Sequence, residues 1–283
     1  MRVLITGAGG QLGIDVAAVC VAAGDEVVAL DRKGLDVADR LQVLDAVASA
    51  QPEVVINCAA WTAVDACEAD AGRALATNGM AVRWLAEACH QSYAHLVQVS
   101  TDYVFDGTLD RAYLESDVPN PQSEYGRSKL FGEQEALTRG VGAAIVRTSW
   151  VCGRNGANMV KTVMRLAKDH AQLSFVCDQV GNPTFTQDLA PVLRTIAHDR
   201  LSGIIHATNQ ESCSWHQFAQ AVVAAMGKDP AMVLPITTAE LHPPRPAPRP
   251  ANSVLDNAVL RAAGYPPMRN FHEPLAETVA HLL

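Results

Sequence analysis

The chain has 283 residues, 49% of them hydrophobic, enough to fill one large core or two joined ones. Its formal net charge of −8, from 22 basic and 30 acidic residues, leaves no basic stripe for phosphate backbones, so no nucleic acid is expected as a partner. Seven scattered cysteines without a C-x-x-C pair argue against a disulfide framework and a zinc site and for a reducing compartment. The chain opens on Met1-Arg2-Val3 without a charged-then-apolar leader, and no apolar run approaches ~18 residues. A cytoplasmic protein that does not enter a membrane is the expectation.

Apolar β-type runs recur at 3–5, 27–30, 54–56, 96–99 and 143–146. Stretches of helical spacing rich in Ala and Leu separate them, at 12–23, 41–50, 73–89 and 128–138. Such alternation predicts an α/β fold with a doubly wound parallel sheet, its strands covered on both faces. Beyond Trp150 the pattern loosens. Helices are predicted at 159–168, 215–226, 255–263 and 274–282, while LHPPRPAPRP at 241–250 suits neither helix nor central strand. The predicted organisation is a dinucleotide-binding domain over residues 1–150 and a smaller, irregular substrate-binding lobe over 151–283, with room for helical returns to the first domain.

The first strand runs straight into Gly7-Ala8-Gly9-Gly10-Gln11-Leu12-Gly13. Glycines there let the turn close and let backbone N–H groups approach a pyrophosphate at the next helix N-terminus. Asp31 falls 18 positions after Gly13, at the end of the second strand, where a carboxylate can accept from an adenosine ribose. This is the Rossmann pattern for NADPH or NADH. Arg32 could instead grip a 2′-phosphate, so the two side chains favour different cofactors. Asp36 and Val37 lie within reach of the adenine, and Asn57-Cys58-Ala59-Ala60-Trp61-Thr62 follows the third strand with small residues that let a cofactor lie close.

The fourth strand ends abruptly in polar residues, Ser100-Thr101-Asp102-Tyr103, at the carboxyl edge where open α/β sheets bind ligands. Tyr125 follows 24 residues after Thr101 and opens a Y-x-x-x-K with Lys129. Its i,i+4 spacing puts phenol and ammonium on one helix face. A cation held there is expected to lower the phenol pKa towards a working range. The order of glycine turn, strand-end hydroxyl and Y-x-x-x-K points to carbonyl reduction, with Thr101, Tyr125 and Lys129 as its groups.

Over nearly its whole length the chain resembles the extended short-chain dehydrogenase/reductase superfamily, and within it the dTDP-4-dehydrorhamnose reductases. The motifs that carry the resemblance are Gly7 to Gly13, NCAAWTAVD from Asn57, STDYVFDG from Ser100, Tyr125 to Lys129, RTSWV from Arg147, DQVGNPT from Asp178 and RPANS from Arg249. The resemblance implies NAD(P)H-dependent reduction of the C4 carbonyl of dTDP-4-dehydro-L-rhamnose. It assigns Gln11, Leu12, Asp31, Arg32, Asp36, Val37, Ala60, Trp61, Thr62, Val99, Tyr125 and Lys129 to the cofactor, beside Gly7 and Gly10 of the turn. Thr101, Asp102 and Trp150 fall to the sugar nucleotide, and Arg249 could pair with its diphosphate. Trp61 departs from the smaller aromatic common there.

Some relatives hold magnesium at a homodimer interface; Asp15 and Asp188 resemble two of those ligands, no third is placed, and no metal is assigned. Other readings are a reductase or epimerase of another dTDP-4-keto-6-deoxysugar and a non-catalytic nucleotide-binding regulatory subunit. An intact Thr101, Tyr125 and Lys129 argue against the last.

Overall fold

Strand residues alternate between two apolar surfaces, and that alternation builds the molecule. In the computed structural model, which describes residues 1–139 and 142–283, the elements run β1 (Arg2–Thr6), α1 (Gln11–Ala22), β2 (Glu26–Leu30), α2 (Arg40–Ala50), β3 (Val54–Asn57), α3 (Val64–Ala69), α4 (Ala71–Leu75), α5 (Ala81–Ser92), β4 (His95–Thr101), α6 (Glu124–Arg139) and β5 (Ala144–Thr148). Val3, Ile5, Val54, Ile56, Val97 and Val146 point to one face, where they bury Leu12 and Val16 of α1. Leu4, Val55, Leu96 and Ile145 point to the other, against Val43 and Val47 of α2, Leu85 of α5 and Ala136 of α6. Burying each such side chain stabilises the fold by roughly 1.5–3 kcal/mol.

The remaining elements are β6 (Val151–Cys152), α7 (Met159–Asp169), β7 (Leu173–Val176), β8 (Val180–Gly181), β9 (Thr184–Phe185), α8 (Thr186–Asp199), β10 (Gly203–His206), β11 (Cys213–Ser214), α9 (Trp215–Ala225), β12 (Val233–Ile236), α10 (Ala258–Ala262) and α11 (His272–Leu282). Two of them return to the main sheet. β10 pairs in parallel with β5, and Leu189, Leu193 and Ile196 of α8 join the α1 face. The sheet therefore has six strands in the order β10-β5-β4-β3-β1-β2, the doubly wound parallel architecture expected. A separate core of Val160, Phe185, Phe218, Val222 and Phe271 unites α7, α9 and α11. No described helix is long and apolar enough to cross a membrane.

Two predicted helices are corrected. The stretch 73–89 is not one α-helix: Ala76–Met80 is a π turn between α4 and α5. Gly79 sits inside it, where a Cβ would meet Phe131 at 2.8 Å, so α6 approaches too closely for a regular side-chain-bearing turn. The predicted helix 255–263 shrinks to α10, because Leu255 makes a parallel bridge with Tyr113 and the Asn257 amide donates to the Thr208 carbonyl at 2.8 Å.

The order in which strands are added reverses at β1, whose parallel neighbours are β2 on one side and β3 on the other, and ligands bind at such switch points above the strand ends. A buried polar chain crosses those ends: Thr6 Oγ1 donates to Asn57 Oδ1 at 2.5 Å, and Asn57 Nδ2 donates to Gln98 Oε1 at 2.6 Å. Asn57 Oδ1 also accepts from the Ala59 N–H at 3.0 Å, which fixes the loop after β3.

Candidate active site

The turn after β1 is built for close backbone approach. Gly7 has φ +66°, and a Cβ on it would lie 2.6 Å from the Ala59 nitrogen, so the loops after β1 and β3 touch only because position 7 is glycine. A Cβ on Gly13 would lie 2.3 Å from the Gly7 carbonyl oxygen. The α1 N-cap is Gly10, and no side chain caps it among the described residues. Free amide groups at the start of α1 therefore face the cavity beside Gly10, Gln11 and Leu12, a fit for an anionic pyrophosphate.

Asp31 stands against this turn, since a Cβ on Gly9 would come within 3.1 Å of its own Cβ. Its Oδ1 accepts from the Lys33 and Gly34 amides at 2.9 and 3.0 Å, which shapes the loop while the carboxylate stays exposed. Arg32 is exposed beside it, and Asp36 folds its carboxylate onto the Ala38 amide at 3.0 Å. The Val37 side chain is buried under the site with Val43. Trp61 packs against the cluster of Tyr125, Cys67 and Ala74: its backbone N–H donates to Asn78 Oδ1 at 2.8 Å, and the Arg73 guanidinium lies over its ring, 4.3 Å from the centroid.

A cavity of about 610 Å³ gathers the others: Gly10, Gln11, Leu12, Ala60, Thr62, Val99, Thr101, Asp102, Tyr125, Lys129 and Trp150. Gly7, Asp31, Arg32, Asp36, Val37 and Trp61 are not among its lining residues. Thr101 ends β4, while Tyr125 and Lys129 occupy the first turns of α6. Gly126 lets that helix start close to the loop after β4, because a Cβ there would lie 2.2 Å from the Tyr103 carbonyl oxygen. The Lys129 ammonium donates to the Val99 carbonyl at 2.7 Å, and the Thr101 hydroxyl donates to Asp102 Oδ1 at 2.9 Å.

Burial dominates the electrostatics. It pushes the Lys129 ammonium down to about 8, partly countered by the Glu133 carboxylate. It pushes the Tyr125 phenol up, although a hydrogen bond with Thr101 opposes it. This corrects the expectation that Lys129 lowers the phenol: in the free protein desolvation outweighs any such effect. A protonated phenol is nevertheless the state a proton donor needs. Burial likewise raises the Asp102 carboxyl, opposed by hydrogen bonds with Ser253, Thr101 and Ser149.

Some site features were missed in the sequence. Asn78, presented by the π turn, ties the Trp61 loop to α6, donating to the Trp61 carbonyl and to Ser128 Oγ, both at 3.1 Å. Trp215, at the start of α9, lines the cavity beside Trp150. Trp150 itself has φ +44°, a left-handed conformation that costs a non-glycine residue roughly 1–2 kcal/mol. Arg249, expected near a diphosphate, instead makes a bidentate pair with Asp65 at 2.7 and 2.8 Å. Asp15 accepts from Asn155 at 3.0 Å, and Asp188 takes the Arg269 guanidinium at 2.6 Å, a donor set that does not suit a cation. Among the described residues no group of three or more His, Cys, Asp or Glu side chains is placed to hold a metal.

A doubly wound sheet whose glycine turn and Tyr-x-x-x-Lys helix face one cavity defines a nicotinamide-dependent oxidoreductase of the short-chain dehydrogenase/reductase type. The family model described as "RmlD substrate binding domain" matches residues 1–283, and the chain belongs to that family. It is similar to the dTDP-4-dehydrorhamnose reductase of Streptomyces griseus, 42% identical over 98% of this chain and 92% of that one. Among solved structures, a dTDP-4-dehydrorhamnose reductase from Clostridium acetobutylicum aligns with TM-score 0.96 and 41% identity, covering 100% of this chain and 99% of that one. The Bacillus anthracis dTDP-4-dehydrorhamnose reductase, solved in complex with NADP, aligns with TM-score 0.95 and 36% identity over 99% of both chains.

Proposed function

We propose that this protein reduces the C4 carbonyl of dTDP-4-dehydro-L-rhamnose to the alcohol of dTDP-L-rhamnose. The observation that carries the reading is the convergence of Thr101, Tyr125 and Lys129 on the cavity that also receives the uncapped N-terminus of α1. A bound reduced nicotinamide supplies a hydride to the carbonyl carbon. Gly7, Gly10, Gln11 and Leu12 would hold its pyrophosphate, Asp31 and Arg32 its adenosine end, and Lys129 its nicotinamide ribose. Tyr125 donates its phenolic proton to the oxygen as negative charge develops there, and general acid catalysis of this kind contributes typically ~10²–10⁴-fold. Thr101 and Asp102 bind the sugar beside the reacting oxygen.

The cofactor preference follows from two neighbouring side chains. Asp31 accepts hydrogen bonds from a free ribose, while the exposed Arg32 can meet a 2′-phosphate, so both NADH and NADPH serve and NADPH serves modestly better. The test is incubation of the purified protein with dTDP-4-dehydro-L-rhamnose and NADPH, following loss of reduced-nicotinamide absorbance and identifying the product by NMR. Formation of dTDP-L-rhamnose supports the proposal; a different C4 epimer or no turnover overturns it.

A further inference from the structure

Trp150 and Trp215 come from distant segments and meet as a parallel stack, ring centroids 3.5 Å apart and planes 6° from parallel. Both are half-buried and line the cavity that holds Thr101 and Tyr125. Aromatic pairs left to themselves prefer offset or edge-to-face contacts to full overlap, so the surroundings impose this one. Trp150 is held in its left-handed backbone, φ +44°, with its indole against Gly181, where a Cβ would lie 2.6 Å from the Trp150 Cε2. Trp215 is held from the other lobe. Ser214 caps α9 in a reciprocal box with Gln217. Phe218, fully buried in the lobe core, packs edge-on to Trp215 at 6.0 Å. Backbone strain and imposed ring overlap at one cavity wall are expected where an arrangement is kept for a ligand.

The wall borders the reacting end of the site. Ser149, the residue before Trp150, donates its hydroxyl to Asp102 Oδ2 at 3.0 Å, and Asp102 in turn accepts from Thr101. We propose that Trp215 is a positioning residue for the sugar: stacked on Trp150, it completes an apolar wall against which the deoxygenated carbon of a 6-deoxyhexose packs. This rests on the reading of the cavity as a dTDP-4-keto-6-deoxysugar site. Fixed aromatic faces bury a methyl group well and leave a hydroxymethyl oxygen without a partner.

The test compares dTDP-L-rhamnose with dTDP, two probes that differ only by the sugar, as calorimetric titrations of the NADPH-loaded full chain. In Trp215→Ala the Kd for dTDP-L-rhamnose is expected to rise about tenfold while that for dTDP stays within about twofold. KM for the keto sugar rises with it, kcat changes little, and the far-ultraviolet exciton couplet of the stacked indoles disappears from the circular dichroism spectrum. Trp215→Phe, which keeps a ring against Phe218, is expected to lose about threefold on dTDP-L-rhamnose alone and supplies the answer where the alanine variant does not fold. Equal weakening of both probes would put Trp215 at the base and overturn the inference, as would an unchanged ratio in an active enzyme. A wild-type protein that turns over no 4-keto-6-deoxysugar nucleotide overturns the functional reading itself, a result independent of either variant.

Discussion

Arg147 and Glu133 form a bidentate ion pair in which neither side chain is more than 1% exposed, with Arg147 Nη2 2.7 Å from Glu133 Oε2 and Arg147 Nε 3.0 Å from Glu133 Oε1. Ser100 donates to the same carboxylate at 2.5 Å, and the guanidinium carbon lies 5.0 Å from the Phe105 ring centroid. Glu133 is one helical turn beyond Lys129 on α6. Removing one partner strands a buried charge, so Arg147→Met should destabilise the fold by about 3–5 kcal/mol. Adding Glu133→Leu should recover most of that loss but not all, because Ser100 loses its acceptor. Urea unfolding of the two variants, compared at equal m-value, checks the difference.

Tyr125→Phe keeps the ring and its edge-on contact with Tyr103, 5.6 Å between centroids, while removing the acidic proton. We expect kcat to fall ~10²–10⁴-fold with the NADPH Kd within about threefold. Single-turnover rates and a fluorescence titration separate the two quantities. Near-wild-type turnover in a folded, cofactor-binding variant would remove Tyr125 as the acid.

Burial sets which proton leaves the cluster first as pH rises. The Lys129 ammonium, pushed down to about 8, titrates before the Tyr125 phenol, which burial pushes up. Below about 8 the lysine is charged and able to hold a ribose hydroxyl; above it the charge is lost, so kcat/KM should decline about tenfold per pH unit on that side. Stability moves the other way. Between about 8 and 10.5 the unfolded chain keeps a proton that the folded chain has released, so the contribution of Lys129 to stability rises with pH. Rate profiles and urea midpoints measured over the same pH range should show the two opposed slopes, and Lys129→Met should flatten both.

Arg32 is exposed at the end of β2 and outside the cavity lining, so its influence should be confined to the adenosine end of the cofactor. Arg32→Ala is expected to raise the NADPH KM by roughly tenfold and leave the NADH KM within about twofold. Steady-state kinetics with each cofactor decide it: an equal loss for both would show that Arg32 does not read the 2′-phosphate.

What the sequence made legible were features whose signal is local. The apolar runs at 3–5, 54–56 and 96–99 became β1, β3 and β4 because short apolar stretches between turns have few other solutions. Gly7, Thr101 and the Tyr125–Lys129 spacing were visible because each chemical demand falls within a few residues. The rest depended on tertiary contact. α8 contains Pro191 in its interior, which masks a helical pattern, and β10 has only four residues. Trp215 carries no local mark of its place: only the tertiary stacking of the first residue of α9 on the segment after β5 brings it to Trp150. The phenol of Tyr125 was expected to move down under the influence of Lys129, but the depth of its burial, which no spacing encodes, moved it up.

The strand β10 gives the chain a particular biography on the ribosome. β1 to β5 are synthesised in sequence and can pair as they emerge, yet the free side of β5 must wait until α7, the short ribbons and α8 have followed it out. In that interval an unpaired strand edge is exposed, with Ile145 and Val146 at its centre and Arg147, which pairs with Glu133 of the already synthesised α6, the single charge along it. The closing contact is also among the most non-local in the sheet, which puts it late in folding. Conditions that slow elongation between β5 and β10 should therefore lower soluble yield far more than the same delay placed after residue 206.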